Sequence, residues 1–124
     1  MNRTEFVEHY AAFLRKALPL AQLARRQGLL SLVCDPEKVK ERDVFEYGLS
    51  FVIDGIALEF IEKILNNIIA QEKDEYARIY KTVQKEAVMG IQQGLNPNLL
   101  YSILNSFTDM PLKDDDGYLY AMSL

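Results

Sequence analysis

Residues 57–93 read ALEFIEKILNNIIAQEKDEYARIYKTVQKEAVMGIQQ, and this stretch decides the fold class of the chain. Its apolar side chains recur every three or four residues, which is the period of an amphipathic α-helix. They are Ile61, Ile64, Leu65, Ile68, Tyr76, Ile79, Tyr80, Val83, Ala87 and Ile91. The stretch has no proline, and its single glycine is Gly90. The pattern therefore predicts one unbroken helix of ~37 residues, ~55 Å long.

A helix of that length would project from the rest of the molecule, because a compact domain of this size has a radius of gyration of ~14 Å. The apolar stripe on its distal half would then be exposed: Tyr76, Ile79, Tyr80, Val83 and Ala87. Pairing with a second copy would remove this surface from water, so we expect a homodimer through these residues. The alternative is a bend at residues 71–75 that folds the distal half back on its own chain.

The flanking sequence predicts further helices. Residues 4–17 and 20–33 have a helical period and are predicted as two helices, the second with Leu30 on its apolar side, because Pro19 should break or kink the chain between them. Asp35-Pro36 and Asn96-Pro97 each place a capping side chain before a proline, which is typical of a helix start. Another helix is expected after Asp43. No segment alternates as a strand would, so the chain is predicted to be all-α, a bundle of about five helices with one long central helix.

The domain organisation follows from length and patterning. A chain of 124 residues has the usual size of one domain, and we assign residues 1–107 to a single helical domain. From residue 108 the apolar period fades, and residues 108–124 are expected to form an acidic, mobile tail. Asp114, Asp115 and Asp116 precede Gly117, but the positions around them do not match a calcium-binding EF-hand loop.

Composition excludes several classes of protein. The formal net charge of −4 disfavours a nucleic-acid binder. Residues 1–40 nevertheless carry a charge of +3 and residues 41–124 a charge of −7, a polarity that suits a charged protein partner. One cysteine, Cys34, suits a reducing compartment, and no segment is apolar enough to insert into a membrane. We therefore expect a cytoplasmic protein.

Residues with catalytic or metal-binding chemistry are few. The chain has one histidine, His9, and one cysteine, which leaves zinc without a set of ligands. It also lacks a glycine-rich phosphate loop, a nucleophile elbow and a metalloprotease helix. We expect no enzymatic activity, no cofactor and no metal.

Two separated stretches resemble one known family. The first is LARRQGLLSL at residues 23–32, followed by Asp35-Pro36 and by YGLSFVIDG at residues 47–55; the second is GIQQGLNPNLL at residues 90–100. They resemble the cytoplasmic parts of MotA, the flagellar stator subunit of the MotA/TolQ/ExbB proton-channel family. The membrane helices of that family are missing here, which implies a MotA-like protein unable to form the channel.

The resemblance also implies a site. Arg25 matches a basic position that in MotA is implicated in contact with the rotor's switch protein, and Arg26 adjoins it. Family members commonly have an acid where this chain has Val33, so the reciprocal charge is missing. The implied function is that of a non-catalytic accessory or regulatory protein, recruited to the flagellar motor by a rotor switch or stator component. The alternative is a cytosolic helical oligomer or adaptor that retains the fold without a motor role.

Overall fold

The computed structural model describes residues 1–108, and these form six α-helices and no strand. The helices are α1 (Arg3–Gln27), α2 (Pro36–Lys40), α3 (Val44–Ile53), α4 (Leu58–Ile69), α5 (Glu75–Gln92) and α6 (Pro97–Asn105), with a 3-10 turn at Leu29–Ser31 after α1. The predicted all-α class is confirmed. Apart from Thr108, the predicted acidic tail lies outside the described residues.

Helix α1 is continuous through Pro19, so the predicted separation of residues 4–17 from residues 20–33 is wrong. A proline inside a helix costs one hydrogen bond and about 3 kcal/mol. Burial offsets this cost, since Leu14, Ala17, Leu18 and Ala21 around Pro19 are at most 1% exposed. The helix ends at Gln27 rather than near residue 33, because Gly28 has a φ of 86° and its N–H donates to the Ala24 carbonyl at 2.8 Å.

The predicted long helix over residues 57–93 is also wrong, because the chain turns between α4 and α5 at the bend kept as the alternative. Polar side chains close this turn without glycine or proline. The Asp74 carboxylate accepts from the Ala77 N–H at 2.8 Å and caps α5, while the Glu72 carboxylate accepts from the Lys73 N–H at 3.0 Å and the Asp74 N–H at 3.1 Å.

Helix α5 is the centre of the bundle, although the longest helix is α1. It packs against α1, α3, α4 and α6. The fully buried side chains of α5 include Val83, Ala87 and Val88, and they meet Leu14, Phe45, Leu65 and Leu100 in one core. The sequence predicts one helix that is both long and central. In the structure the longest helix is α1, whereas the central helix is α5.

The other predicted helix starts are confirmed. Asp35 caps α2 by accepting from the Glu37 N–H at 3.0 Å, and Asn96 caps α6 by accepting from the Asn98 N–H at 2.7 Å. Asp43 caps α3 in the same way. In residues 1–108, no helix is both long enough and apolar enough to cross a membrane.

Candidate partner-binding surface

The two arginines singled out from sequence, Arg25 and Arg26, lie in the last turn of α1, and both are exposed. Positive charge at this end of a helix is favourable, since the carbonyl groups there carry partial negative charge. Ala24, which precedes them, is 7% exposed and packs into the core. The arginines thus project from the surface on a backbone that is anchored on its other face.

Two aliphatic side chains follow the arginines and are far more exposed than the other large hydrophobic residues of the described chain. Leu30 is 85% exposed and Val33 is 81% exposed. Between them Leu32 is 3% exposed and belongs to the core, so the segment alternates between anchored and solvent-facing positions. The result is an apolar and basic surface, the α1-turn surface, made of Arg25, Arg26, Leu30 and Val33.

Hydrogen bonds fix the backbone that carries this surface. The Ser31 hydroxyl donates to the Gly28 carbonyl at 2.6 Å, and the Leu32 N–H donates to the Leu29 carbonyl at 3.1 Å. At the far end the Asp35 N–H donates to the carboxylate of Glu46 on α3 at 3.0 Å. Leu30 and Val33 are therefore exposed on an ordered turn rather than on a loose loop.

Glu46 is the buried group that holds the far end of the turn. It is 4% exposed, and its other carboxylate oxygen is paired with the Lys16 ammonium of α1. Lys16 also lies over the Phe45 ring, 5.3 Å from the centroid. A buried carboxylate needs such partners to offset its lost hydration. Glu46 thereby ties the turn to both α1 and α3.

The second predicted site, the stripe of Tyr76, Ile79, Tyr80, Val83 and Ala87, is not an exposed surface. Val83 and Ala87 have no exposure, and the other three are half-buried against the core. The Tyr76 ring lies tilted against the Phe6 ring of α1, with 5.5 Å between centroids, and the Tyr80 ring meets the Phe13 ring edge-on at 6.0 Å. The turn before α5 folds the stripe onto its own chain. The homodimer stays a prediction, but this stripe no longer supports it.

The sequence pattern does not reveal Leu30 and Val33 as surface residues. The helical period of residues 20–33 puts Leu30 on the apolar side, and Val33 differs from the family pattern without any sign of its exposure. The available signal was Gly28, because glycine directly after a periodic segment often ends a helix. The aliphatic residues that follow such a glycine need not continue the buried face.

The other residues considered for chemistry stand apart from one another. His9 is exposed, with its ring 5.7 Å from that of Tyr80, and Cys34 is half-buried. Within residues 1–108 no three side chains of the kinds that bind metals come together.

Comparisons of the chain with protein-family models, with curated proteins and with solved structures found no match. The fold itself defines the class, an all-helical protein.

Proposed function

We propose that this chain is a non-catalytic, MotA-like protein that binds a component of the flagellar motor through the α1-turn surface. The observation that carries the proposal is the exposure of Leu30 and Val33 on an ordered turn beside Arg25 and Arg26. Aliphatic side chains exposed to water are unfavourable in free energy, and a bound partner that covers them removes this penalty.

The chemistry of the surface indicates the kind of partner. Two arginines favour an acidic surface, and two aliphatic side chains favour a shallow apolar depression within it. The resemblance to MotA supports a rotor switch protein or another stator component as that partner. Because Val33 replaces the acid common in the family, the contact at this position is apolar.

The experiment is a binding titration with the purified rotor switch protein of the same organism. Arg25→Glu with Arg26→Glu should weaken binding about 2- to 10-fold at low salt and less at high salt, because exposed ion pairs are weak and screened. Leu30→Ser with Val33→Ser should weaken binding about 10-fold or more at every salt concentration, because buried aliphatic area is insensitive to screening.

Phe60 of α4 offers a matched control, since it is 55% exposed and lies outside the α1-turn surface. Phe60→Ser should leave the affinity unchanged. Equal binding by all variants would remove the α1-turn surface from the interface. Absence of binding to rotor and stator proteins, together with capture of a non-motor protein that needs Leu30 and Val33, would favour the adaptor alternative.

A further inference from the structure

The outer side of helix α1 is basic over most of its length. From residue 9 to residue 27 the helix has four basic side chains and no acidic one. One of the four, Lys16, is paired with Glu46 of α3. Arg15 and Arg26 are both exposed, and they are eleven residues apart, which is about three helical turns. They therefore lie on the same face of α1, here called the α1 arginine face.

Helix α6 ends close to α1. The Tyr10 hydroxyl of α1 donates to the Asn105 side chain at 3.2 Å. The Thr108 N–H donates to the Asn105 carbonyl, also at 3.2 Å, so Thr108 is held within one turn of that contact. The residues that follow Thr108 in the sequence therefore start beside α1.

The sequence carries no charge in the part that packs next to α1 and a concentrated negative charge directly afterwards. Residues 87–108, which include all of α6, contain no charged side chain. Residues 109–116 then contain four aspartates and one lysine. Three of the aspartates, Asp114, Asp115 and Asp116, are consecutive and are here called the acidic triplet. This segment has the charge that complements the α1 arginine face.

The acidic triplet is attached by enough chain to reach both arginines. At 1.5 Å per residue, Arg15 lies ~8 Å and Arg26 ~24 Å beyond Tyr10 along α1. An extended chain spans ~20 Å from Thr108 to the start of the triplet and ~26 Å to its end. Glu8 lies on the same face, seven residues before Arg15, and repels acidic groups. The favourable part of the face therefore runs from Arg15 to Arg26.

We propose that the acidic triplet binds the α1 arginine face of the same chain. Ion pairs at a surface are individually weak. A segment tethered by a few residues nevertheless acts at an effective concentration of about 1 mM, which allows several weak pairs to form together. Because these pairs are exposed to solvent, salt weakens the contact.

The contact regulates the α1-turn surface, because Arg26 belongs to both. A partner that uses Arg26 must first displace the acidic triplet, which lowers the apparent affinity of the partner. The tail thus competes with the partner for one arginine. This consequence rests on the proposed function, whereas the contact between the triplet and α1 does not.

The test is a nuclear magnetic resonance measurement on the isotope-labelled full chain with a paramagnetic nitroxide next to the triplet. Gly117→Cys carries the nitroxide, and Cys34→Ser leaves this as the single thiol. We expect the amide signals of α1 between Arg15 and Arg26 to lose intensity about twofold or more, because the tether keeps the contact populated. The amide signals of α4, which packs against α3 and α5, serve as the reference and should keep their intensity.

Neutralising the triplet separates a charge contact from chance proximity of the label. Asp114→Asn with Asp115→Asn and Asp116→Asn keeps the size of the side chains, and it should restore the α1 signals about twofold or more, as should 0.5 M salt. The matched control is Glu59→Gln with Glu62→Gln, since both glutamates are exposed acids of α4. This control should leave the loss of α1 intensity unchanged.

Three outcomes overturn the proposal. The first is an α1 helix that loses no more intensity than α4, and the second is an equal loss in the parent chain and the neutralised variant. The third is the same loss in a chain without nitroxide mixed with a nitroxide-labelled chain, since this would show a contact between copies.

Binding of the rotor switch protein tests the regulatory consequence separately. Neutralising the triplet should tighten this binding about 2- to 10-fold at low salt, because a weak charged competitor has been removed. Failure of the rotor switch protein to bind, with the α1 intensity loss intact, would refute the proposed function and leave the contact standing. Normal binding without any α1 intensity loss would refute the contact and leave the proposed function standing.

Discussion

Close packing at single residues decides how near the helices of this bundle approach. Gly48 of α3 lies where a β-carbon would come within 2.9 Å of both Leu65 Cδ1 on α4 and Val88 Cγ2 on α5. All three residues are buried. The absence of a side chain at Gly48 therefore permits α3 to contact two helices at once.

Gly48→Ala should destabilise the fold even though alanine favours helix formation by about 1 kcal/mol over glycine. Overpacking of a tight core costs typically about 1–3 kcal/mol, and here two side chains must move. We expect a net loss of about 1–2 kcal/mol, measured by urea denaturation. In a Val88→Ala background the same change should cost less, because part of the obstruction is gone. An equal cost in both backgrounds would contradict this explanation.

At the scale of the element, the turn between α4 and α5 depends on two carboxylates. The hydrogen bond from the Ala77 N–H, and then the Met1 ammonium group, lower the pKa of Asp74. Hydrogen bonding to Lys81, and then to the Asp74 N–H, lowers the pKa of Glu72. Each carboxylate thus favours the folded state only while it is ionised.

A carboxylate whose pKa is lower in the folded state than in the unfolded chain stabilises the fold at every pH above its unfolded pKa. This stabilisation is lost as the pH falls through the pKa of the folded state. Stability should therefore decrease as pH falls below about 4. Asp74→Asn should reduce this acid dependence and still cap α5, since asparagine is also a good N-cap. Asp74→Ala should lower stability at pH 7 as well. Denaturation midpoints at neutral and acidic pH, compared among the three chains, provide the measurement.

In the molecule as a whole, α5 packs against α1, α3, α4 and α6 and joins them in one core. The tyrosines of this core link distant parts of the chain. The Tyr10 hydroxyl of α1 donates to the Asn105 side chain of α6 at 3.2 Å, and burial raises the pKa of Tyr10 above its usual range. Ionisation of such a phenol is compatible only with a loosened core.

Alkaline pH should consequently unfold the molecule. Burial first, and Asp43 second, raise the pKa of Tyr80 to about 12. The neutral Tyr80 phenol therefore stabilises the fold fully at every pH below the unfolded tyrosine pKa of about 10. This stabilisation is lost as the pH rises through the pKa of the folded state. Tyrosinate absorbance and circular dichroism should change together in this range. Tyr80→Phe should shift the unfolding to higher pH, and an unshifted transition would show that Tyr80 does not contribute.

The burial of the α5 stripe that contains Ile79 leads to a prediction about the stability and the mass of the molecule. Ile79 is half-buried against the core, so Ile79→Glu should lower the melting temperature by several degrees and leave the particle mass unchanged. Phe60→Glu is the control, because Phe60 is already 55% exposed and should tolerate a charge. Light scattering with thermal denaturation measures both properties. A fall in mass from twice 14.3 kDa to one chain on Ile79→Glu would instead show an interface between copies.

The amino-acid sequence alone predicts the helical class and the helix starts at Asp35 and Asn96, because periodicity and capping act within a few residues. It also indicated Arg25 and Arg26, but not Leu30 and Val33, whose exposure depends on where α1 ends. The continuity of α1 through Pro19 was decided by tertiary structure, since burial of Leu18 and Ala21 offsets a local cost. Tertiary contacts likewise decide the direction in which α5 leaves the turn after α4. A stripe of apolar residues has the same local pattern whether it faces a second copy or its own chain, and only contacts such as that of Phe13 with Tyr80, far apart in sequence, distinguish the two.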